Sequence, residues 1–277
     1  MLCGIFIEKY YVGSDIMKYN FKQIINSYTK EKRKRSSIWA RIFSRPMSFV
    51  FTYIFINLGV SANVVSVISI IDALIACFLI MMGGKATFIG IVLFVFWHVL
   101  DCVDGNIARV KKESSYGGAF LDAVSGYIAP AFIFLSVGVA AYLTSGIPSE
   151  YKHFLIVIGG FCSVTDILTR IIYQKYLVTE YRLGLMGKSG DIDNERASGI
   201  KHIADLVMKH MGYSSLFMPL LIVCSIFGWL DILIALYFAY YVALLISTVC
   251  LFVMKASKLE ERVEALGLEK SEDIKEF

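Results

Sequence analysis

The sequence predicts an all-α integral membrane protein: six transmembrane helices preceded by an interfacial amphipathic helix. Three observations carry this. Hydrophobic residues make up 57% of the 277 residues and charged residues only 18%, with a mean hydropathy of +0.65. Soluble domains carry roughly 45–50% apolar and about 25% charged residues, so both departures point towards lipid. The apolar residues fall in long runs joined by short connections, and Lys and Arg concentrate in every second connection. This composition argues against a soluble enzyme, a disordered chain or a nucleic-acid binder.

Taken in order, residues 1–36 read as a polar cytoplasmic segment. Met1–Val12 has no basic start and no small-residue cleavage site, so no cleavable leader is expected. Met17 opens a more usual polar start, which makes residues 1–16 a candidate upstream extension. Residues 37–58 read as the interfacial helix. Arg41 and Arg45 are mixed with Trp39, Phe43, Phe49, Phe51 and Phe55, and Trp39, Ile42 and Phe43 have helical spacing. Residues 59–255 form the membrane domain, with spans near Val64–Met82, Ala86–Arg109, Gly117–Leu143, Tyr151–Tyr176, Ser215–Phe227 and Trp229–Met254. Each of these can cross ~30 Å of hydrocarbon at ~1.5 Å per residue, the fifth only when extended by amphipathic Ile200–Met211. Residues 256–277 form a charged cytoplasmic tail. The Tyr and Phe side chains of the sixth span are expected to face lipid or pack. The six cysteines contain no CxxC pair and read as small buried hydrophobes.

Orientation follows from the basic residues. Lys18 to Arg45 holds nine Lys/Arg, the turn after the first span only Lys85, and the next connection Arg109, Lys111 and Lys112. Thr144–Glu150 has none, whereas Tyr176–Lys209 has five, the turn at Gly228 none, and the tail five. The alternation places both termini in the cytoplasm; if the source is bacterial, the membrane would be the cell or inner membrane. The acidic run from Asp191 to Arg196 reads as a solvated loop. Lys30–Arg35 reads as a topology signal, with headgroup binding as the alternative.

Ionisable residues within spans are costly, so each is a functional candidate. Asp101, Asp104 and Ala108 are spaced i, i+3, i+7 and share one helix face. Gly105 leaves room for close approach. On the next span, Gly118 and Asp122 are i, i+4. Asp101 lies eight residues before Arg109 and Asp122 five after Gly117. Antiparallel neighbours therefore bring Asp101, Asp104 and Asp122 to similar depth. A divalent cation resolves their repulsion, and hard oxygen ligands suit Mg²⁺ or Mn²⁺. The alternative, three separately hydrogen-bonded carboxylates, must meet the burial cost three times over.

These residues resemble the signature of the CDP-alcohol phosphotransferases, D-x-x-D-G-x-x-A-R-x8-G-x-x-x-D-x-x-x-D. Seven of its eight fixed positions are matched, by Asp101, Asp104, Gly105, Ala108, Arg109, Gly118 and Asp122. Ala62, Asn63 and Ser66 resemble the family's P-N-x-x-T entry, with Ala for Pro and Ser for Thr. The resemblance implies a CDP-linked donor in a cavity open to the cytoplasm. A hydroxyl attacks the donor phosphorus and CMP leaves, in phospholipid or envelope-conjugate synthesis. It implies that Asp101, Asp104 and Asp122 hold Mg²⁺ or Mn²⁺, two ions in all, and that Asp122 is catalytic. It gives the nucleotide site to Gly105, Ala108 and Arg109, with contributions from Asn63, Ser66 and Gly118. Relatives are commonly homodimers, and the acceptor is not specified.

The signature's last aspartate falls on Gly126. Four readings follow. Another carboxylate substitutes, the acceptor is already an anion, the chain binds CDP compounds without turnover, or the residue has been altered. Asp72, level with Asp101 and without a partner in its own helix, is the first candidate substitute base, with a structural hydrogen bond as the alternative. Asp166 has Arg170 at i+4 and reads as an ion pair. His98 reads as a hydrogen-bonded core histidine. A catalytically impaired binding protein is the first rival reading. A transporter is the second, and charges gathered on the cytoplasmic half disfavour it.

Overall fold

The computed structural model describes residues 18–113, 115–185 and 211–265, which contain helices and no strand. Two short helices come first, α1 (Phe21–Asn26) and α2 (Lys30–Arg35). A π-helical turn, Ala40–Ser44, runs into α3 (Arg45–Asn57). The long helices are α4 (Ala62–Met81), α5 (Gly84–Lys111), α6 (Tyr116–Thr144), α7 (Ser149–Arg182) and α9 (Leu230–Ala256). The short α8 (Phe217–Phe227) precedes α9, and α10 (Leu259–Ala265) follows it.

Five segments are long and apolar enough to cross a membrane: α4, α5, α6, α7, and α9 with its continuation. Their positions agree with the expected first four spans and the sixth. The expected fifth is the eleven-residue α8, only ~16 Å long at 1.5 Å per residue. Its expected extension, Ile200–Met211, lies outside the described residues up to His210, as does the Asp191–Arg196 loop. Helix α7 runs one and a half turns past Tyr176, because its polar end is held: Arg262 of α10 donates to Glu180 at 2.7 Å and to the Tyr176 hydroxyl at 3.1 Å.

The main core lies where α4 to α7 meet α8 and α9. Trp97, Phe94, Phe134, Phe217, Tyr237 and Tyr241 are its largest buried side chains, so these two tyrosines of the sixth span pack inward. Close helix approach comes from glycine. A methyl group at Gly159 of α7 would sit 2.5 Å from the Phe134 carbonyl oxygen and 3.0 Å from the Gly138 Cα of α6. Small residues let backbones touch in the absence of a solvent-driven force between helices. Gly90 does the same between α5 and the Ala76–Ile80 backbone of α4. Cys77, Cys102, Cys162 and Cys224 are buried in the bundle.

Helix α3 has an arrangement that its composition did not suggest. Ser44, Ser48, Thr52 and Ile56, spaced by four, form its buried stripe. Ile42, Met47, Val50 and Ile54 face outward. The polar stripe docks on α5. Ser44 shares a hydrogen bond with His98 Nδ1 at 2.9 Å, and the Asn106 amide donates to Ser48 at 3.0 Å and Thr52 at 3.1 Å. His98 is thus the hydrogen-bonded core histidine expected. Asn57 exchanges hydrogen bonds with the backbone of Tyr19, folding the chain before α1 back onto α3.

Gly159→Ala is expected to destabilise the bundle by about 1–3 kcal/mol, the usual cost of overpacking. Gly160→Ala, whose added methyl meets only the Leu135 side chain at 3.9 Å, should be tolerated. Thermal unfolding of the two variants in detergent checks the contrast.

Candidate active site

The signature residues open onto one cavity of about 660 Å³ between α2, α3, α4, α5 and α6. Its α4 wall is Ala62, Asn63 and Ser66, in the first turn and a half. Ser61 caps this helix, its hydroxyl accepting from the Val64 amide. The α5 wall carries Asp101, Asp104, Gly105, Ala108 and Arg109, close to a helix end closed by left-handed Lys112. Ser115 caps α6 by accepting from the Gly118 amide at 3.0 Å, and that helix presents Gly118 and Asp122.

Local contacts explain the residue types. Asp104 is 3% exposed, and both its oxygens have partners. Ser66 donates to Oδ2 at 2.6 Å, and the Gly105 amide donates to Oδ1. The Arg109 guanidinium lies over Gly105, where an added methyl would be 3.1 Å from Nη1. Arg109 also donates to the Asn106 side-chain oxygen, so the amide that binds α3 orients this arginine as well. Gly118 lies against Asn63 Oδ1, 2.9 Å from where its methyl would be. One turn deeper, Ser125 joins three helices, meeting Ser69 at 3.0 Å and accepting from Trp97 Nε1 at 3.1 Å.

Asp101, Asp104 and Asp122 lie close enough to feel one another's charge. Among the described residues Asp101 and Asp122 have no hydrogen bond or ion pair, and no three His, Cys, Asp or Glu side chains form a tight metal-binding group. The donor chemistry nevertheless fits a hard divalent cation: three carboxylates and the Asn63 amide oxygen line one cavity, with Cys102 the one sulfur side chain among the lining and no imidazole. Asp122 is exposed and Asp101 half-buried.

All nine sequence-selected residues for metal and nucleotide therefore share the cavity: Asn63, Ser66, Asp101, Asp104, Gly105, Ala108, Arg109, Gly118 and Asp122. Asp72 is not among the lining. It is half-buried on α4, and its Oδ2 is buried without a hydrogen-bond partner. Asp166 also sits elsewhere, accepting from Arg170 at 2.6 Å and from Tyr241 at 2.9 Å. Gly126 has open space; an added methyl would meet only the Tyr213 hydroxyl, at 4.0 Å.

Sequence reasoning missed Lys32 and Arg45, which line the cavity from α2 and α3. In the sequence alone they read as topology and headgroup charges. The four-residue spacing of Ser44, Ser48 and Thr52 was the available signal for Arg45, since it marks a face that packs on protein. No linear pattern marks Lys32.

Residues 59–190 match the family model described as CDP-alcohol phosphatidyltransferase. No curated protein matches the chain. The match takes in every lining residue from α4, α5 and α6 and ends before α8. Over the segment 59–190, this membrane protein is similar to the CDP-alcohol phosphatidyltransferase family.

Proposed function

We propose that the protein transfers a phospho-alcohol group from a CDP-linked donor to an acceptor hydroxyl, with release of CMP. The observation that carries this reading is the convergence of all nine signature and entry residues on one cavity. The acceptor oxygen forms a bond to the donor's alcohol-bearing phosphorus, and the bond from that phosphorus to the CMP phosphate oxygen breaks. Asp101, Asp104 and Asp122 would hold Mg²⁺ or Mn²⁺. When bound, the cation supplies charge neutralisation along the diphosphate. Arg109, oriented by Asn106, is placed to neutralise the leaving phosphate as a fixed fork of donors. Asn63 and Ser66 hold the α4 side of the nucleotide site. Ser66 also fixes the Asp104 rotamer. Among the lining carboxylates, exposed Asp122 is the one we assign to the acceptor's proton, with Asp72 the substitute from outside the lining. Alternating Lys and Arg argue for a cavity on the cytoplasmic side, and a homodimer is the assembly that the resemblance suggests.

Purified protein supplied with a panel of CDP-linked donors, acceptors and Mg²⁺ should release CMP. Asp104→Asn should lower that release by at least about a hundredfold, the scale of a lost metal ligand. It should also abolish Mn²⁺ binding in calorimetry. Unchanged Mn²⁺ binding removes Asp104 from the site.

Gly126 favours a second reading, a catalytically impaired relative that binds CDP compounds. The space at this position admits a β-carbon. General-base assistance is worth about 10²–10⁴-fold, so Gly126→Asp should accelerate CMP release with a neutral hydroxyl acceptor. Wild-type protein that binds CDP but never releases CMP, beside an active Gly126→Asp, establishes the impaired reading instead.

For orientation, a single cysteine at Ser149, at the start of α7, in a background without native cysteines, should react with an impermeant maleimide from outside the cell. Reaction from the cytoplasmic side alone overturns the assignment.

A further inference from the structure

Besides Lys112 at the C-terminal cap of α5, three cations reach the cavity from three separate elements. Lys32 comes from α2, Arg45 from the first turn of α3 and Arg109 from the end of α5. Among the described residues the ion pairs are Asp166–Arg170 and Glu180–Arg262, so none of the three is paired with a cavity carboxylate. The Nε atoms of Arg45 and Arg109 are both buried without a hydrogen-bond partner. A buried donor left unmade is costly, and more so when it is charged. Like charges also repel, which makes the gathering costly on a second count.

The arrangement is nevertheless built. The Arg45 guanidinium lies over the Tyr28 ring, 5.0 Å from its centre, and Tyr28 donates to Ser36 at 2.8 Å, in the turn between α2 and α3. Ser48, which accepts from Asn106, donates to the Arg45 carbonyl at 2.8 Å. Asn106 thus anchors Arg45 through the backbone and Arg109 through its side chain. Although Lys32 as a residue is exposed, its amine is partly withdrawn from water. That withdrawal, then the charges of Arg109 and Arg45, lower it from its ordinary value, and Asp122 pulls the other way. An oxyanion among the three relieves the repulsion.

We propose that Lys32, Arg45 and Arg109 form an oxyanion subsite that binds a phosphate group of a substrate, making α2 and α3 part of the site. The inference rests on the transferase reading for the identity of that substrate. Lys32 and Arg45 precede the matched segment 59–190, so their place in the cavity is read from this chain alone. The phosphate belongs either to the donor's diphosphate or to a phosphorylated acceptor.

The test is ligand binding to the purified full chain at fixed Mg²⁺, so it does not depend on turnover. Calorimetry would use CDP, inorganic phosphate and cytidine, with wild type, Lys32→Ala and Arg45→Gln. Lys32 is exposed, so its variant keeps the test informative if Arg45→Gln fails to fold. The expected result is a loss of about tenfold or more in affinity for CDP, phosphate or both, as for a hydrogen bond to a charged group. Cytidine binding should be unchanged. Phosphate competing with CDP in wild type assigns the subsite to the donor, whereas phosphate binding to CDP-saturated protein assigns it to the acceptor. CDP and phosphate affinities equal to wild type in the folded variants overturn the proposal.

Discussion

The buried carboxylate of Asp104 is the constraint around which the site is organised. A carboxylate inside an apolar bundle must find its partners within the protein, because lipid offers none. Asp104 finds them in the Ser66 hydroxyl of α4 and in the next amide of its own helix. That fixes how α4 is rotated against α5. One turn deeper, Ser125 bonds to Ser69 and Trp97 and draws in α6. The three helices that carry the signature are thereby held by a short polar ladder running from the cavity into the core. Glycine contacts at Gly90, and between Gly138 and Gly159, let the helices come close enough for such a ladder to close.

The charges in the cavity oppose one another without pairing. Asp101, Asp104, Asp122 and Glu113 share the lining with Lys32, Arg45, Arg109 and Lys112. Direct ion pairs among them would satisfy each group and leave nothing for a ligand. Helix geometry keeps them apart. Arg109 is turned onto Asn106 and over Gly105, Arg45 onto Tyr28, and Asp104 onto Ser66. A cavity of this kind suits a ligand that carries both signs, such as a diphosphate with its cation.

The membrane class and the carboxylate face were legible in the sequence because both rest on local periodicity. Apolar runs set the long helices, and the spacing of Asp101, Asp104, Ala108, Gly118 and Asp122 survives folding because each set lies on a single helix. The N-terminal third of the site was not legible. Lys32 and Arg45 enter through tertiary docking of α2 and α3, and α3 turns its serines and Thr52 inward while Ile42 and Ile54 stay outside. In water such a helix would bury its apolar side. Beside lipid the apolar side can remain outside, so amphipathicity alone does not say which face meets protein. Depth along α4 points to Asp72, but depth does not fix azimuth, and its side chain lies off the lining.

Asn106 also has a consequence for biosynthesis. It links helix α3, which the ribosome delivers early, to helix α5, which arrives some fifty residues later, and the last cavity wall, α6, follows after that. During translation the Ser44–Ser48–Thr52 stripe therefore exists for a time without its partner. The serines and threonine of α3 can keep their hydroxyls on water or on their own carbonyls in the interval, as Ser48 does with Arg45. An early helix with a mildly polar stripe tolerates that delay, whereas an early helix with buried charge would not. In this chain the buried carboxylate of Asp104 enters the membrane after Ser66, the hydroxyl that receives it.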